Sequence, residues 1–189
     1  MNLMGELCDL NPLSNTYALK FADFLGGLNF QHTFTGSIPM REVDVAAEWD
    51  RERAAKSLQW GIFSPYPVTE VRWRDGGRFI GTTGLYSHRD IYRSFEFRIL
   101  IGHPDCLGKG IGTEVTRMVV DWGFKRLNAH RIWLGVNAEN LCAIKCYEKV
   151  GFKREGVLRD EIFCNGHYTD AIRMGLLESD WKEEVHVEA

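Results

Sequence analysis

Apolar and polar positions alternate most cleanly at Ser94–Ile101. Phe95, Phe97, Ile99 and Ile101 fall on one side of an extended chain, and Glu96, Arg98 and Leu100 on the other. This strand runs into a glycine-studded turn, after which the period changes. Val115, Met118, Val119 and Trp122 recur at helical spacing until Leu127-Asn128-Ala129 ends the helix. Arg131–Val136 returns to strand character, so strand, helix and strand form a right-handed parallel unit. Asn140–Lys149 reads as a shorter helix closed by Gly151. Phe152–Leu158 and Tyr168–Leu177 are the last strands, with a turn at Asn165-Gly166.

Upstream the pattern is looser. Residues 6–12 read as a short strand ended by Pro12, and Ser14 as a helix cap ahead of Ala18, Phe21, Ala22 and Leu25. Residues 28–39 form a loop with two Phe and one His, readable as a pocket lining or as packing. Met40–Leu58 reads as a second helix with a thin apolar stripe. Ser64-Pro65-Tyr66-Pro67 is a break, Val68–Arg74 a strand, Asp75-Gly76-Gly77 a hairpin turn, and Arg78–Tyr86 the returning strand. Gly81 and Gly84 mark close backbone approach or a bulge in it, and His88-Arg89-Asp90 is a loop. The order of elements gives a mixed α/β sheet in one domain.

Composition narrows the class. A chain of 189 residues is long enough for one self-sufficient core, so a single domain over 1–189 is expected, with 178–189 a frayed tail. A formal net charge of −3 with scattered cations gives no nucleic-acid surface. No apolar run nears the roughly 20 residues of a membrane helix, and MNLMGELCDLNPL lacks the features of a signal peptide. Five cysteines without CxxC spacing exclude a complete disulfide framework and disfavour structural zinc, so no metal is expected. Cys142 and Cys146, four apart, read as small buried apolar side chains. This cysteine usage points to a reducing cytoplasm.

The candidate chemistry sits in the glycine turn. A Walker loop fails, because Lys109 is followed by Gly110 and position 103 is His. A dinucleotide fingerprint fails at its third glycine, where Thr113 stands. What remains is Gly108-x-Gly110-x-Gly112 at a helix start. Small residues there let the main chain wrap a phosphate, and the helix dipole favours its charge. Lys109 adds an exposed cation, and a plain flexible loop is the alternative.

Three separated segments, LGKGIGTEVTRMVVDWGF, NAENLCAIKCYEKVGFKREG and NGHYTDAIRMGLL, resemble the GNAT superfamily of acyl-CoA N-acyltransferases. They are most similar to the branch of bacterial ribosomal-protein N-terminal acetyltransferases and spermidine acetyltransferases. The likeness is specific from Arg78 to Leu177 and weaker over 10–63. It implies a mixed, mostly antiparallel sheet of about seven strands, a central parallel pair splayed around the cofactor, and about four flanking helices. It also implies acetyl-CoA as co-substrate. Leu100, Ile101 and Gly102 match the strand positions that pair with pantetheine. Leu107, Gly108, Lys109, Gly110, Ile111, Gly112 and Thr113 match the pyrophosphate turn, whose pattern is Gln/Arg-x-x-Gly-x-Gly/Ala. Leu107 departs from that polar first residue, which weakens a side-chain contact and spares the main-chain cradle. Asn140 matches the Asn that holds the pantetheine arm, and Tyr147 the general acid for the leaving thiolate.

Amine acetylation needs a deprotonated nucleophile, a polarised thioester carbonyl and a proton for the thiolate. A phenol with pKa of about 10 suits the last step. Glu96 is the candidate base, directly or through water, with an ion pair to Arg98 as the structural alternative. His88, His103 and His167 are weaker candidates, and the resemblance implies a supporting role for Asp170, which is also a candidate substrate residue. Phe30 and His32 in the aromatic loop are candidate acceptor contacts. The leading expectation for the acceptor is a protein or peptide α-amine. Alternatives are a small amine (polyamine, amino sugar or aminoglycoside), drawn by Glu42, Asp44, Glu48 and Asp50, or a silent acyl-CoA-binding module. A homodimer is expected from the resemblance.

Overall fold

The computed structural model describes residues 3–26, 42–54, 58–64 and 78–181. Eight strands form one sheet: β1 Leu3–Met4, β2 Asp9–Pro12, β3 Leu58–Ser64, β4 Arg78–Arg89, β5 Ser94–Ile101, β6 Arg131–Asn137, β7 Lys153–Cys164 and β8 His167–Leu177. Their spatial order is β1-β2-β3-β4-β5-β6-β8-β7. All neighbours are antiparallel except β5 and β6. Among the described residues, four α-helices of nine or more residues accompany the sheet: α1 Ala18–Gly26, α2 Glu42–Ala54, α3 Ile111–Arg126 and α4 Leu141–Val150. The mixed, mostly antiparallel sheet with one parallel pair is the architecture expected, with β1 as a short addition.

β5 separates two cores, as its alternation requires. Phe97 is buried, and Phe95, Ile99 and Ile101 pack, with Val115 and Val119 of α3, Ile144 of α4, and Ile132, Leu134 and Val136 of β6. On the opposite face Leu100 is buried with Ala18 of α1 and Val45 and Trp49 of α2. The strand therefore carries a helix pair on each side. Gly123 lets α3 lie close on the sheet, since a Cβ there would meet Leu85 Cδ1 at 2.8 Å and Ile132 Cδ1 at 2.9 Å.

Several boundaries differ from the sequence reading. α2 ends at Ala54, and Leu58 opens β3 rather than closing a helix. β3 owes its existence to pairing on both sides, with β2 and with β4, which local propensity does not register. The proposed strand Val68–Arg74 and turn Asp75-Gly76-Gly77 lie outside the described residues. β4 continues through His88 and Arg89, with a register shift between Ser87 and Arg89, where a loop was expected. β7 runs to Cys164, well past Leu158. A register shift between Leu158 and Ile162, with Asp160 at φ 51°, lets the charged middle of this sheet-edge strand keep pairing. The first residues of the stretch expected to fray are structured. Residues 178–181 are helical, and Trp181 is buried against Phe124. Residues 182–189 lie outside the described residues.

Candidate active site

The parallel contact between β5 and β6 is short. Ser94, Phe95 and Glu96 pair with Arg131, Ile132 and Trp133, and there the pairing stops, although β5 runs on to Ile101 and β6 to Asn137. The two strands part into a fork. The backbone of residues 97–101 keeps its β4 partners but has none on β6. An extended ligand with amide groups can take the missing strand's place there. Leu100 and Ile101 lie in this open stretch, and Gly102 follows it.

Gly102 is held by its own N–H, which donates to Ile80 O at 2.8 Å. A Cβ at Gly102 would sit 2.2 Å from Phe24 Cγ, so α1 packs directly over this end of β5. At Gly81 a Cβ would meet Leu100 O at 1.9 Å, which is the close approach suggested by that glycine.

Beyond the fork the chain reaches the glycine turn. Gly108 and Gly110 have φ of 71° and 84°, values that favour glycine, and Gly110 is the cap residue of α3. Glycine offers no side chain to cap the helix, and no side-chain cap bond exists. The first intrahelical bond is Glu114 N to Gly110 O. By helix geometry the N–H groups of Ile111, Gly112 and Thr113 have no intrahelical acceptor. This exposed turn with an uncapped helix start can receive an anion. Leu107 is 54% exposed, and Lys109 is exposed beside it. Thr113 Oγ1 donates to Cys146 Sγ at 3.3 Å, tying the first turn of α3 to α4.

Asn140 caps α4, its Oδ1 accepting from Ala143 N at 3.1 Å. With its oxygen holding that cap, its amide nitrogen can still donate to a ligand at the same time. Tyr147 is buried on α4, with Phe97 edge-on at 6.2 Å and Phe152 at 6.0 Å between ring centroids. Phe97 is the first β5 residue beyond the β6 pairing, so Tyr147 stands where the strands part. Burial, with a smaller contribution from Cys146, pushes its phenol well above the usual range, so it keeps its proton at neutral pH.

Glu96 is on the opposite face from Phe97. Its Oε2 accepts from Arg98 Nη2 at 3.0 Å, and the Arg98 guanidinium lies 4.4 Å from the centre of the Tyr86 ring. Arg98 does therefore pair with it. Asp170 Oδ1 accepts from Asp160 N at 3.0 Å, fixing the left-handed residue of the β7 bulge. Its carbonyl accepts from Ala138 N at 2.9 Å, just past β6, so its observed contacts are supporting ones.

The histidines separate. His167 is exposed and bonded to Glu139 Oε1 at 3.1 Å, a pairing that raises its pKa. His103 flanks the glycine turn with its Nδ1 buried and without a hydrogen bond. Burial, then the charge of Arg78, lowers its pKa. The side chain of His88 and all of Phe30 and His32 lie outside the described residues. The expectation for Cys142 and Cys146 needs correcting: Cys142 is exposed and Cys146 half-buried. Ile144, Tyr147 and Val150 form the face of α4 that packs inward.

Two polar anchors were missed in the sequence. Asn137 is 1% exposed at the end of β6, and its Oδ1 accepts from Thr169 Oγ1 at 3.0 Å and Glu139 N at 2.8 Å. It fixes the turn that leads into α4. Glu114 binds the backbone of residues 6–8 from across the chain. Glu114 has no local signature, because its partners lie 106 to 108 positions away, and for Asn137 only the bond to Glu139 N is local, while Thr169 is 32 positions away.

A sheet forked at its one parallel pair, with an uncapped glycine turn at the helix that follows, can hold an extended ligand that ends in an anion. The family model for the acetyltransferase (GNAT) domain matches residues 17–153, and the chain belongs to that family. Within it, the chain is similar to the spermidine acetyltransferase-like branch. The spermidine N(1)-acetyltransferase of Escherichia coli strain K12 is 38% identical over 108 residues, 57% of this chain and 58% of that protein. The match thus spans little more than half of that relative's length. The crystal structure of spermidine N-acetyltransferase from Vibrio cholerae in complex with CoA and spermine aligns with a TM-score of 0.80 at 26% identity, covering 94% of this chain and 99% of that one. A dodecameric structure of the Vibrio cholerae enzyme in an intermediate state aligns with a TM-score of 0.76 at 25% identity, covering 95% and 99%.

Proposed function

We propose that the protein transfers the acetyl group of acetyl-CoA to a primary amine of a small polyamine. The observation that carries the transferase reading is the fork: residues 97–101 of β5 lack a β6 partner and lead into the glycine turn. In this reading pantetheine lies along Leu100–Gly102 and the pyrophosphate rests on the main chain of Gly108–Thr113. Asn140 holds the arm through its amide. The amine nitrogen attacks the thioester carbon, the carbon–sulfur bond breaks, and Tyr147 gives its proton to the departing thiolate. Glu96, in exchange with Arg98 or through water, takes the proton the amine loses.

The acceptor is where the first expectation gives way. A protein α-amine led on resemblance alone, whereas the Escherichia coli relative and the Vibrio cholerae neighbour are named for spermidine, and the latter is in complex with spermine. Charge bears on the same choice. α2 packs over the face of β5 that carries Glu96, and it brings Asp44, Glu48 and Asp50 with it. Glu48 pairs with Arg51 at 2.9 Å and Asp50 accepts from Asn15 Nδ2 at 3.3 Å, so a cationic acceptor would compete with these partners for the carboxylates. Acceptor contacts from Phe30 and His32 remain part of the proposal. The five free thiols suit the cytoplasm.

Thiol release from acetyl-CoA with a panel of amines tests the reading. Turnover with spermidine or spermine, and little with peptides or amino sugars, is expected. Turnover confined to peptides restores the α-amine reading, and tight CoA binding without turnover makes the protein a binding module.

A further inference from the structure

Glu114 sits in the first turn of α3, at the helix end that the proposed pyrophosphate occupies. A carboxylate there would oppose a phosphate held by the same helix dipole. The structure turns this carboxylate elsewhere. Its Oε1 accepts from Glu6 N at 2.5 Å and Leu7 N at 3.1 Å, and its Oε2 from Leu7 N at 3.0 Å and Cys8 N at 3.2 Å. The Cys8 thiol also donates to Oε2 at 3.5 Å. Three successive main-chain donors around one anion make a closed receptor, built by the turn between β1 and β2 and filled from within the chain.

The turn is shaped for this contact. Gly5 N donates to Cys8 O at 3.0 Å, and a Cβ on Gly5 would meet Cys8 O at 2.7 Å and the Glu114 carboxylate at 2.8 Å. Cys8 is fully buried, and burial, then the charge of Glu114, drives its thiol far above the usual range, so it stays a donor. The turn in its turn reaches the glycine loop. Leu7 Cδ1 lies 3.4 Å from the place a Gly110 Cβ would take. Leu7 therefore backs the residue whose left-handed backbone opens the helix.

We infer that Glu114 is a positioning residue for cofactor binding: by gripping residues 6–8 it sets Leu7 behind Gly110 and holds the pyrophosphate turn in its receptive shape. The inference rests on the acetyl-CoA reading above. It separates Glu114 from the groups that touch substrate, since it acts through the turn and through Leu7.

The test compares two donors in the Glu114→Gln and Leu7→Ala variants. Gln replaces one acceptor oxygen with a donor facing main-chain N–H groups. Leu7→Ala removes the backing side chain and leaves the carboxylate contacts intact, so it serves if the first variant folds poorly. With acetyl-CoA we expect KM to rise about 5- to 50-fold with kcat near wild type, the scale of losing charged hydrogen bonds. With S-acetylpantetheine, which lacks the pyrophosphate, kcat/KM should stay within about twofold of wild type. Calorimetric titration with CoA should show the same weakening without need of turnover. Equal losses with both donors mean a merely structural role, and unchanged CoA affinity in both variants also overturns the inference. If wild type binds CoA and turns over no amine, the transferase reading fails while the CoA titrations still judge Glu114.

Discussion

Tyr147 carries the sharpest residue-scale consequence. Its phenol is buried against Phe97 and Phe152, and burial holds its proton in place. Such a group is fully protonated at neutral pH, and because burial makes it a weaker acid its proton moves to the thiolate only as the leaving charge develops beside it. Tyr147→Phe keeps the ring packing and removes the proton. It should lower kcat about 100-fold, with the calorimetric affinity for acetyl-CoA near wild type; unchanged turnover would remove Tyr147 from the acid role. Gly110 is the complementary case. Its φ of 84° disfavours any side chain, and an acid at the α3 cap would stand beside the phosphate. Gly110→Asp should abolish acetyl-CoA binding by calorimetry, through backbone strain and like charge, and normal binding would refute the cradle. Gly110 was legible because its signal is local, whereas Tyr147 and Asn140 were read from the family resemblance. A glycine at a helix start needs no knowledge of distant partners. Glu114 was illegible for the opposite reason. It meets partners 106 to 108 positions away, and only the folded chain shows that its charge is already matched.

Among elements, β5 was the most readable, since its alternation divides two real cores. β3 was the least, because a short strand hidden between a helix and a proline break exists through pairing on both edges. The packing of α1 on the end of β5 yields a stability prediction. Phe24 lies over Gly102 and stacks near-parallel on Phe79 at 5.8 Å between centroids. Gly102→Ala must displace that ring and should cost about 1–3 kcal/mol by chemical denaturation. No loss of stability would show that α1 is free to shift.

A second element-scale link crosses β8. Arg131 of β6 and Glu155 of β7 pair over Gly175, where a Cβ would come within 2.8 Å of Arg131 Nη1 and closer still to Glu155. Hydrogen bonding to Arg131 holds the Glu155 carboxyl below its usual range. The folded state therefore binds this proton less readily than the unfolded chain. The pair's stabilisation is complete above the unfolded carboxylate value of about 4.3 and fades as pH falls through the lower folded value. Both side chains are partly solvated, so the effect is small and salt-sensitive. The Tm difference between wild type and Glu155→Gln should be steady from about pH 6 to 8 and shrink toward about pH 3. A difference that grows on acidification would contradict the assignment.

At the scale of the molecule, the fork and the glycine turn meet because the strand-helix-strand unit puts the start of α3 at the open end of β5. That topology followed from the order of elements. The acceptor did not, because the aromatic loop lies outside the described residues and the acids of α2 look like any solvated helix face. A homodimer was expected from the resemblance, and the Vibrio cholerae neighbour was solved as a dodecamer. The most direct test of the account is a competition. The protein is incubated with acetyl-CoA and equal amounts of spermidine and an unblocked peptide, and the products are read by mass spectrometry. The account predicts singly acetylated spermidine and unmodified peptide. Acetylated peptide beside untouched spermidine would contradict it.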